Sequence, residues 1–293
     1  MFRYEQDIDL SIIIVNYNVR DLLRKCLKSI FSFQKDLSFE VMVIDNDSED
    51  QSTRMLEEEF AGIALLENRR NLGFSTACNQ GIERSRGRFV LLLNPDAEFT
   101  PGGVTEMVKF MDSHSEVGIC GPKMTDSRGR VHFSCRSFPS YLTAISSGQS
   151  VLNRLFPQNP LSRKYLQKDL SRTEKIETDW VSGSCLLAKR EVFEKIGPLD
   201  TRFFMYVEDV DLCYRAKKAG YSVYCLPNVT VIHHIAESSR KRRMLMLVEH
   251  HRSMYRFHGK HYRPHVFLKG IVFCGIGIRL WLAAGASLLR GVW

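Results

Sequence analysis

The chain has 293 residues, of which 44% are hydrophobic and 25% charged, and these proportions exclude a largely disordered protein. The 41 Lys and Arg residues outnumber the 33 Asp and Glu residues, and the formal net charge of +8 favours anionic partners such as nucleotides or acidic lipids. Because no zinc finger or aromatic RNA-binding motif accompanies these cations, the sequence predicts no nucleic-acid partner. The eight scattered cysteines and the absence of an apolar leader in the first ten residues predict a cytoplasmic protein.

The first 121 residues alternate apolar runs that predict strands with stretches that predict helices. The β-branched run over residues 11–15 is typical of a strand buried on both faces. Further strands are predicted over residues 41–44, 63–66 and 89–93, with helices over about residues 22–30, 54–60 and 77–84. This alternation predicts an α/β fold in which helices cover both faces of a mostly parallel sheet, whose strands end at one edge.

The second half of the chain is less regular. Residues 122–178 are rich in polar residues, Pro and Ser, and they predict only one helix, near residues 141–155. Regular structure is then predicted to return over residues 180–188, followed by helices over residues 191–196 and from about Asp209 to Ala219 and by strands over 222–226 and 229–233. Gly220 is a favourable residue for the C-terminal end of the second helix.

The tail is basic and aromatic at first and strongly apolar from about residue 266 onward. Lys269 and Arg279 interrupt the apolar run, and the uninterrupted stretches are shorter than the roughly 20 residues of a spanning helix. We therefore predict one domain over residues 1–240, with halves at about 1–121 and 122–240. Residues 241–293 are predicted to form helices that lie on a membrane surface, and a buried helix packed on the domain is the alternative.

Four polar clusters directly follow predicted strands. They are Asn16-Tyr17-Asn18, Asp45-Asn46-Asp47-Ser48, Asn94-Pro95-Asp96-Ala97 and His233-His234. One such cluster is an ordinary turn, but four at the same sheet edge predict a binding site. An Asp beside a His supplies ligands suited to Mn²⁺ or Mg²⁺, which would take up charge on a diphosphate leaving group. No GxxxxGK[ST] motif occurs, which excludes ATP hydrolysis of the P-loop kind.

Three acids lie within four positions of one another, at Glu208, Asp209 and Asp211, next to an aromatic cluster. A helix that begins near Asp209 would stabilise these carboxylates through its dipole. One of them is expected to cap this helix, and another is expected to act as a general base toward an acceptor hydroxyl.

Together these segments resemble the family 2 glycosyltransferases of the GT-A fold, in particular the rhamnosyltransferase-like branch that builds bacterial surface polysaccharides. The matching segments, in order, are SIIIVNYN, VIDNDSED, NLGFSTACNQGI, LLLNPDAE, GSCLLAKREVFEKIGPLDTRFFMYVEDVDLCYRAKKAG and VIHHIAESS. They extend over nearly the whole of residues 10–240. The resemblance implies a GT-A sheet, a nucleotide-sugar donor and a divalent metal.

The resemblance also implies roles for the residues of the nucleotide half. Tyr17 and Asp45 would line the nucleobase and ribose pocket. Asn71 and Asn79 also match family positions, and Asn79 would bind the nucleotide sugar; the alternative for both is that they cap a helix. Asp96 stands at the end of the family's DxD element and would bind the metal, while Asn94 replaces the first acid of that element. His233 would be the second protein ligand of the metal, and the adjacent His234 is an alternative.

In the acceptor half, the resemblance assigns Asp209 to the catalytic base and Glu208 to a supporting or acceptor-binding role. Trp180 and Gly183 would lie in the segment that shapes the acceptor site. Arg136 precedes a Pro-containing loop, where it would either contact phosphate or remain solvated.

The sequence therefore predicts an inverting, metal-dependent hexosyltransferase. Its first predicted donor is dTDP-L-rhamnose, followed by other dTDP- or UDP-hexoses. Its predicted acceptor is a lipid-linked glycan or polysaccharide at the cytoplasmic face of the inner membrane. A nucleotidyltransferase is an alternative, although residues 16–21 do not resemble its Gly-rich basic loop. A non-catalytic scaffold is a second alternative, against which the presence of Asp96, Asp209 and His233 argues.

Overall fold

A computed structural model describes residues 8–33, 37–132, 134–140, 174–234, 243–262, 270 and 273–277 of the chain. The helix that we predict near residues 141–155 lies outside the described residues, and so does most of the predicted apolar tail.

The first half of the chain has the predicted alternation of strands and helices. Its elements are β1 (Leu10–Asn16), α1 (Arg20–Phe33), β2 (Phe39–Asp45), α2 (Ser52–Glu59), β3 (Ala64–Glu67), α3 (Phe74–Arg84) and β4 (Phe89–Leu93). All seven residues of β1 are buried, as the β-branched run predicts for a strand covered on both faces. The α/β prediction is confirmed.

The chain beyond β4 contains several two-residue strands, two strands of nine and twelve residues, and further helices. Its elements are β5 (Ala97–Phe99), α4 (Gly103–Ser113), β6 (Val117–Thr125), β7 (Val131–His132), β8 (Cys135–Arg136), β9 (Ile176–Glu177), β10 (Trp180–Val181), β11 (Cys185–Lys189), α5 (Arg190–Ile196), α6 (Glu208–Lys218), β12 (Ser222–His233) and α7 (Arg243–His261). Gly220 has a φ of +94° just beyond α6, as expected for the residue that ends a helix.

The described strands form one ten-stranded sheet and a separate pair. The main order is β3-β2-β1-β4-β11-β6-β12-β5, with β7 beside β6 and β9 beside β12, while β8 and β10 pair with each other. Strands β1 to β4 are mutually parallel, and β11 runs antiparallel to both β4 and β6. The start of β11 therefore lies at the edge where β1, β2, β4 and β12 end.

The core lies on both faces of this sheet, as the alternation of side chains along β1 illustrates. Ile12 and Ile14 belong to the cluster beneath α1, α2 and α4. Ile13 and Val15 belong to the opposite cluster, which contains residues of α3, α5 and α6. Seven of the eight cysteines are buried free thiols, which accords with their placement in apolar runs.

The sequence prediction missed α4 and β6 and divided β12 into two strands. Helix α4 starts after Gly102, which has a φ of +76°, without a side-chain cap, so the usual start signal is absent. Gly118, Gly121 and Pro122 interrupt the hydrophobic pattern of β6. In β12 the register with β6 shifts between Leu226 and Thr230. Pro227 lies in this irregular segment, where a proline is tolerated because its missing N–H is not needed for strand pairing.

Helix α7 packs against the domain, although its sequence belongs to the predicted tail. Phe257 is fully buried against Phe203, Val207 and Val210, so the packed unit extends past residue 240. None of the described helices combines the length and apolar character needed to cross a membrane. Membrane association of residues 241–293 stays a prediction.

Candidate active site

The ends of β1 and β2 are joined by buried polar side chains. The Asn16 amide donates to Asp45 Oδ1 at 2.7 Å, and the Ser48 N–H donates to Asp45 Oδ2 at 2.8 Å. Asp45 is 2% exposed, so these two bonds stabilise its carboxylate where β2 ends. Tyr17 is half-buried one residue beyond β1. The structure thus brings Tyr17 and Asp45 to the same edge of the sheet, as predicted.

Side-chain amides form a connected set behind this edge, and two of them, Asn68 and Gln80, were not singled out from the sequence. Asn68 donates to Asn46 at 2.9 Å and exchanges hydrogen bonds with Gln80 of α3. Asn46 in turn donates to the Gly73 carbonyl at 3.3 Å, and Asn71 accepts from the Gly73 N–H at 2.9 Å. These bonds fix the start of α3 against the ends of β2 and β3.

Asp96 and His233 meet at the ends of β4 and β12. His233 Nε2 lies 3.0 Å from Asp96 Oδ1, and Asp96 is 4% exposed. The Asn94 amide lies 3.5 Å from His233 Nε2 and donates to the Ser184 hydroxyl at 3.3 Å. The adjacent His234 instead contacts Glu98, with Nε2 2.8 Å from Oε1. Of the two histidines, His233 is therefore the one beside Asp96.

Asp209 lies in the first turn of α6 and contacts the start of β11. The Gly183 N–H donates to Asp209 Oδ2 at 2.8 Å, and the Val210 N–H donates to Oδ1 at 2.8 Å. A Cβ atom on residue 183 would lie 3.3 Å from Asp209 Cβ, so glycine permits this close approach. The residue that caps α6 is Val207, which provides no side-chain hydrogen bond. The expectation that one of the three acids caps this helix is therefore wrong.

Burial affects the two neighbouring carboxyl groups differently. Burial raises the pKa of Glu208 well above its usual range, and the charge of Asp209 raises it further. Burial also raises the pKa of Asp209, but the N–H groups of Gly183 and Val210 and the charge of Arg136 oppose that rise. Glu208 Oε2 is buried without a hydrogen-bond partner in the described structure. The pKa of Asp209 thus stays above its usual range but is raised less than that of Glu208, so Asp209 is the acid of the pair that ionises more readily.

The turn before Asp209 has a strained backbone that is held from two sides. Tyr206 and Val207 have φ values of +67° and +72°, a region that a β-branched residue rarely occupies. From α3, Phe74 N–H donates to the Phe204 carbonyl at 2.7 Å and Ser75 Oγ to the Phe203 carbonyl at 2.6 Å. From α7, Ser253 Oγ donates to the Met205 carbonyl at 3.0 Å. Helices α3 and α7 together therefore position Glu208 and Asp209.

Asp211, the third acid, joins α6 to α7. Its carboxylate is fully buried and accepts from Arg215 at 2.8 Å, Lys260 at 2.6 Å and His261 at 2.7 Å. Burial acts to raise the pKa of Asp211, but the hydrogen bonds from these three groups outweigh it and lower the pKa. Lys260 also donates to Asp200 at 2.7 Å. Asp211 is thus a structural ion-pair centre, which its position near the helix start did not predict.

The remaining predicted site residues have structural partners. Both amide atoms of Asn79 bond to the main chain of Leu199, at 2.8 and 2.9 Å, so this side chain holds the segment before the strained turn. The contact of Asn79 with the donor stays a prediction. The Trp180 indole donates to the Ser137 carbonyl at 3.0 Å, and the ring is half-buried on β10.

The two halves of the site meet at Gly183-Ser184, just before β11. The Ser184 carbonyl accepts from the Asn94 N–H at 2.9 Å, next to the Asp96–His233 pair. The preceding residue, Gly183, donates to Asp209. A sheet edge with an acid–histidine pair on one side and the Asp209 carboxyl group on the other is suited to group transfer from an anionic substrate.

Comparison with known proteins decides the family. The model of glycosyl transferase family 2 matches residues 11–197, which contain most of β1, all of β2 to β11 and helices α1 to α5. The chain belongs to glycosyl transferase family 2. This confirms the resemblance inferred from the sequence motifs and excludes the nucleotidyltransferase alternative. Asp209 and His233 lie beyond the residues that the family model matches.

Two relatives of this family 2 glycosyltransferase are rhamnosyltransferases. The N-acetylglucosaminyl-diphospho-decaprenol L-rhamnosyltransferase of Mycobacterium tuberculosis is 32% identical over 259 residues, which cover 85% of this chain and 83% of that protein. The rhamnosyltransferase WbbL of Escherichia coli is 23% identical, with 78% and 84% covered. A solved structure of the Pyrobaculum calidifontis mannosyltransferase PcManGT aligns with a TM-score of 0.58 at 17% identity, covering 98% of this chain and 79% of that one. The last comparison shows a shared fold.

Proposed function

We propose that this glycosyltransferase moves L-rhamnose, or another hexose, from a dTDP- or UDP-activated donor to a hydroxyl group of a lipid-diphosphate-linked glycan. The observation that carries the proposal is the junction at Gly183-Ser184, which joins Asp209 to the segment that holds Asp96 and His233. The relative whose name includes an L-rhamnosyl transfer to a diphospho-decaprenol sugar supports the donor and acceptor classes. A lipid-linked acceptor also requires the enzyme to work at a membrane surface, at the cytoplasmic face in this proposal.

The proposed chemistry is one in-line displacement at the anomeric carbon. Asp209 accepts the proton of the acceptor hydroxyl, the acceptor oxygen forms the new glycosidic bond, and the bond to the nucleoside diphosphate breaks. A single displacement inverts the anomeric configuration and needs no protein nucleophile. Two fixed hydrogen bonds orient the Asp209 carboxylate, so it needs little rearrangement before it accepts the proton.

The residues present fit a divalent cation. The Asp96 carboxylate and the His233 imidazole lie 3.0 Å apart and would supply an oxygen and a nitrogen, ligand types that divalent cations accept. Among the described residues no group of three or more His, Cys, Asp or Glu side chains is arranged for a metal. Asp96 and His233 would therefore hold Mn²⁺ or Mg²⁺ together with substrate phosphate. The charge that develops on the departing diphosphate is what such a cation neutralises.

The donor and the stereochemistry are tested directly. Saturation-transfer NMR against a panel of nucleotide sugars should give the strongest signal with dTDP-L-rhamnose. Transfer to a synthetic polyprenyl-diphosphate N-acetylglucosamine should then produce a rhamnoside with inverted configuration. A product with retained configuration, or donor hydrolysis without transfer to the lipid acceptor, would contradict the proposal.

The metal site makes a separate prediction. Because the cation would contact both the protein and the diphosphate, binding of dTDP and of Mn²⁺ should strengthen each other by about 5- to 150-fold. Calorimetry of dTDP binding with Mn²⁺ or with a chelator measures this coupling. His233→Ala should abolish the coupling, whereas His234→Ala, a matched change at the neighbouring histidine, should preserve it. Equal dTDP affinity with metal and with chelator would refute a metal held by Asp96 and His233.

A further inference from the structure

Helix α7 has one side packed on the domain and the other side exposed. Ser253 and Phe257, on the packed side, are both fully buried. On the other side, exposed residues recur at the helical spacings of three and four, and they form one continuous face. We call this the outer face of α7, and it consists of Leu245, Val248, Arg252, Arg256 and Gly259. Leu245 is 60% exposed and Val248 is 38% exposed, so the first part of the outer face is apolar.

The surroundings of the outer face favour an anionic lipid bilayer as its partner. Residues 240–243 are four consecutive cations, and they precede Leu245 directly along the chain. Beside the helix, Phe273 is 67% exposed, and its ring centroid lies 6.2 Å from that of Tyr255. Apolar side chains that enter the bilayer and cations that pair with acidic headgroups both contribute to binding at a membrane surface.

Helix α7 also contacts the strained turn that precedes Asp209. The Tyr206 ring meets the His250 ring edge-on, with the two centroids 5.7 Å apart. Ser253 Oγ donates to the Met205 carbonyl at 3.0 Å. The same helix therefore exposes an apolar face to its surroundings and holds the backbone that carries the proposed general base.

We infer that an anionic membrane surface binds the outer face of α7 and thereby activates sugar transfer, and this inference rests on the proposed function. Tyr206 and Val207 hold left-handed backbone conformations, which persist only where surrounding contacts impose them. A bilayer against the outer face holds α7 between itself and the domain, so that fewer displaced positions of the helix and of the turn remain. The Asp209 carboxyl group is then best ordered at the surface where a lipid-linked acceptor is found.

The test uses the full chain, a short-chain acceptor that dissolves in water, and vesicles of two compositions. Vesicles of equimolar phosphatidylcholine and phosphatidylglycerol should raise kcat for this acceptor by about 5- to 150-fold, the range typical of coupling between two sites. Vesicles of phosphatidylcholine alone should have a much smaller effect, because they offer the cations no anionic headgroups. Amide hydrogen exchange over residues 200–211 should become slower when the anionic vesicles bind.

The double change Leu245→Ser and Val248→Ser should abolish this activation, even where the apolar tail still attaches the enzyme to the vesicles. Because both side chains are exposed, the melting temperature and the rate without vesicles should stay unchanged. Phe31→Ser is the matched control, since Phe31 is 49% exposed but lies on α1. Its activation by anionic vesicles should equal that of the wild type.

Three results would overturn the inference. The first is a wild-type enzyme that binds the anionic vesicles with unchanged kcat, and the second is a double variant activated as strongly as the wild type. The third is a wild-type dimer in solution that the double change makes monomeric, because a second copy of the chain would then cover the outer face. If the wild type transfers no sugar with or without vesicles, the proposed function fails instead. Hydrogen exchange over residues 200–211 then decides alone: slower exchange on anionic vesicles supports the role of α7, and unchanged exchange refutes it.

Discussion

Replacement of Asp209 by Asn should lower the rate of sugar transfer by about 10²- to 10⁴-fold, the usual loss when a general base is removed. Asn keeps the size of the side chain and one of its acceptors, but it cannot take the proton of the acceptor hydroxyl. Donor affinity should be preserved, because the residues proposed to bind the nucleotide lie at other strand ends. Single-turnover transfer, together with calorimetry of dTDP binding, measures both quantities on the same protein.

Glu208→Gln is the matched control for this experiment. Glu208 is buried, and burial favours its neutral form, so Gln replaces a neutral group with another of similar shape. Its transfer rate should therefore stay much closer to that of the wild type. An Asp209→Asn enzyme that is fully active per folded molecule but melts at a lower temperature would show that Asp209 only supports the start of α6. An inactive Glu208→Gln enzyme together with an active Asp209→Asn enzyme would show that Glu208, and not Asp209, is the general base.

Replacement of Asp211 by Ala should lower the free energy of unfolding by roughly 3–5 kcal/mol, the usual cost of removing one member of a buried ion-pair group. The change leaves the Lys260 and His261 side chains without their fully buried carboxylate partner. Helix α7 should then lose protection against amide hydrogen exchange before the central strands do. Urea unfolding and exchange measured over residues 243–261 together test this expectation.

Asp21→Ala is the matched control for Asp211→Ala. Asp21 also accepts from two cations, Arg20 and Arg24, but its side chain is 68% exposed, so water replaces the lost partners. Its unfolding curve should be close to that of the wild type. Because α7 holds the turn at Met205, Asp211→Ala should also reduce the transfer rate per folded molecule. A stable Asp211→Ala protein with protected α7 amides would mean that apolar packing around Phe257 alone keeps the helix in place.

The neighbouring histidines illustrate what a sequence pattern leaves undecided. The pattern predicts that His233 and His234 follow a strand and that one of them lies near Asp96. The choice depends on the pairing of β12 with β5, which places His233 opposite Ala97 and leaves His234 beside Glu98. A shift of one residue in that register would exchange the two side chains, and register is set by partners far away in sequence.

The sequence by itself determined the α/β alternation and the buried strands of the first half, because these depend on local hydrophobic periodicity. It also indicated which polar residues lie at the site, because parallel strands end at one edge of the sheet. Only the tertiary structure decided the role of Asp211, whose Lys260 and His261 partners are 49 and 50 residues away. The left-handed turn at Tyr206 and Val207 is similar, since neither residue type favours that conformation. Contacts from α3 and α7 impose it, and no local pattern encodes contacts between segments so far apart along the chain.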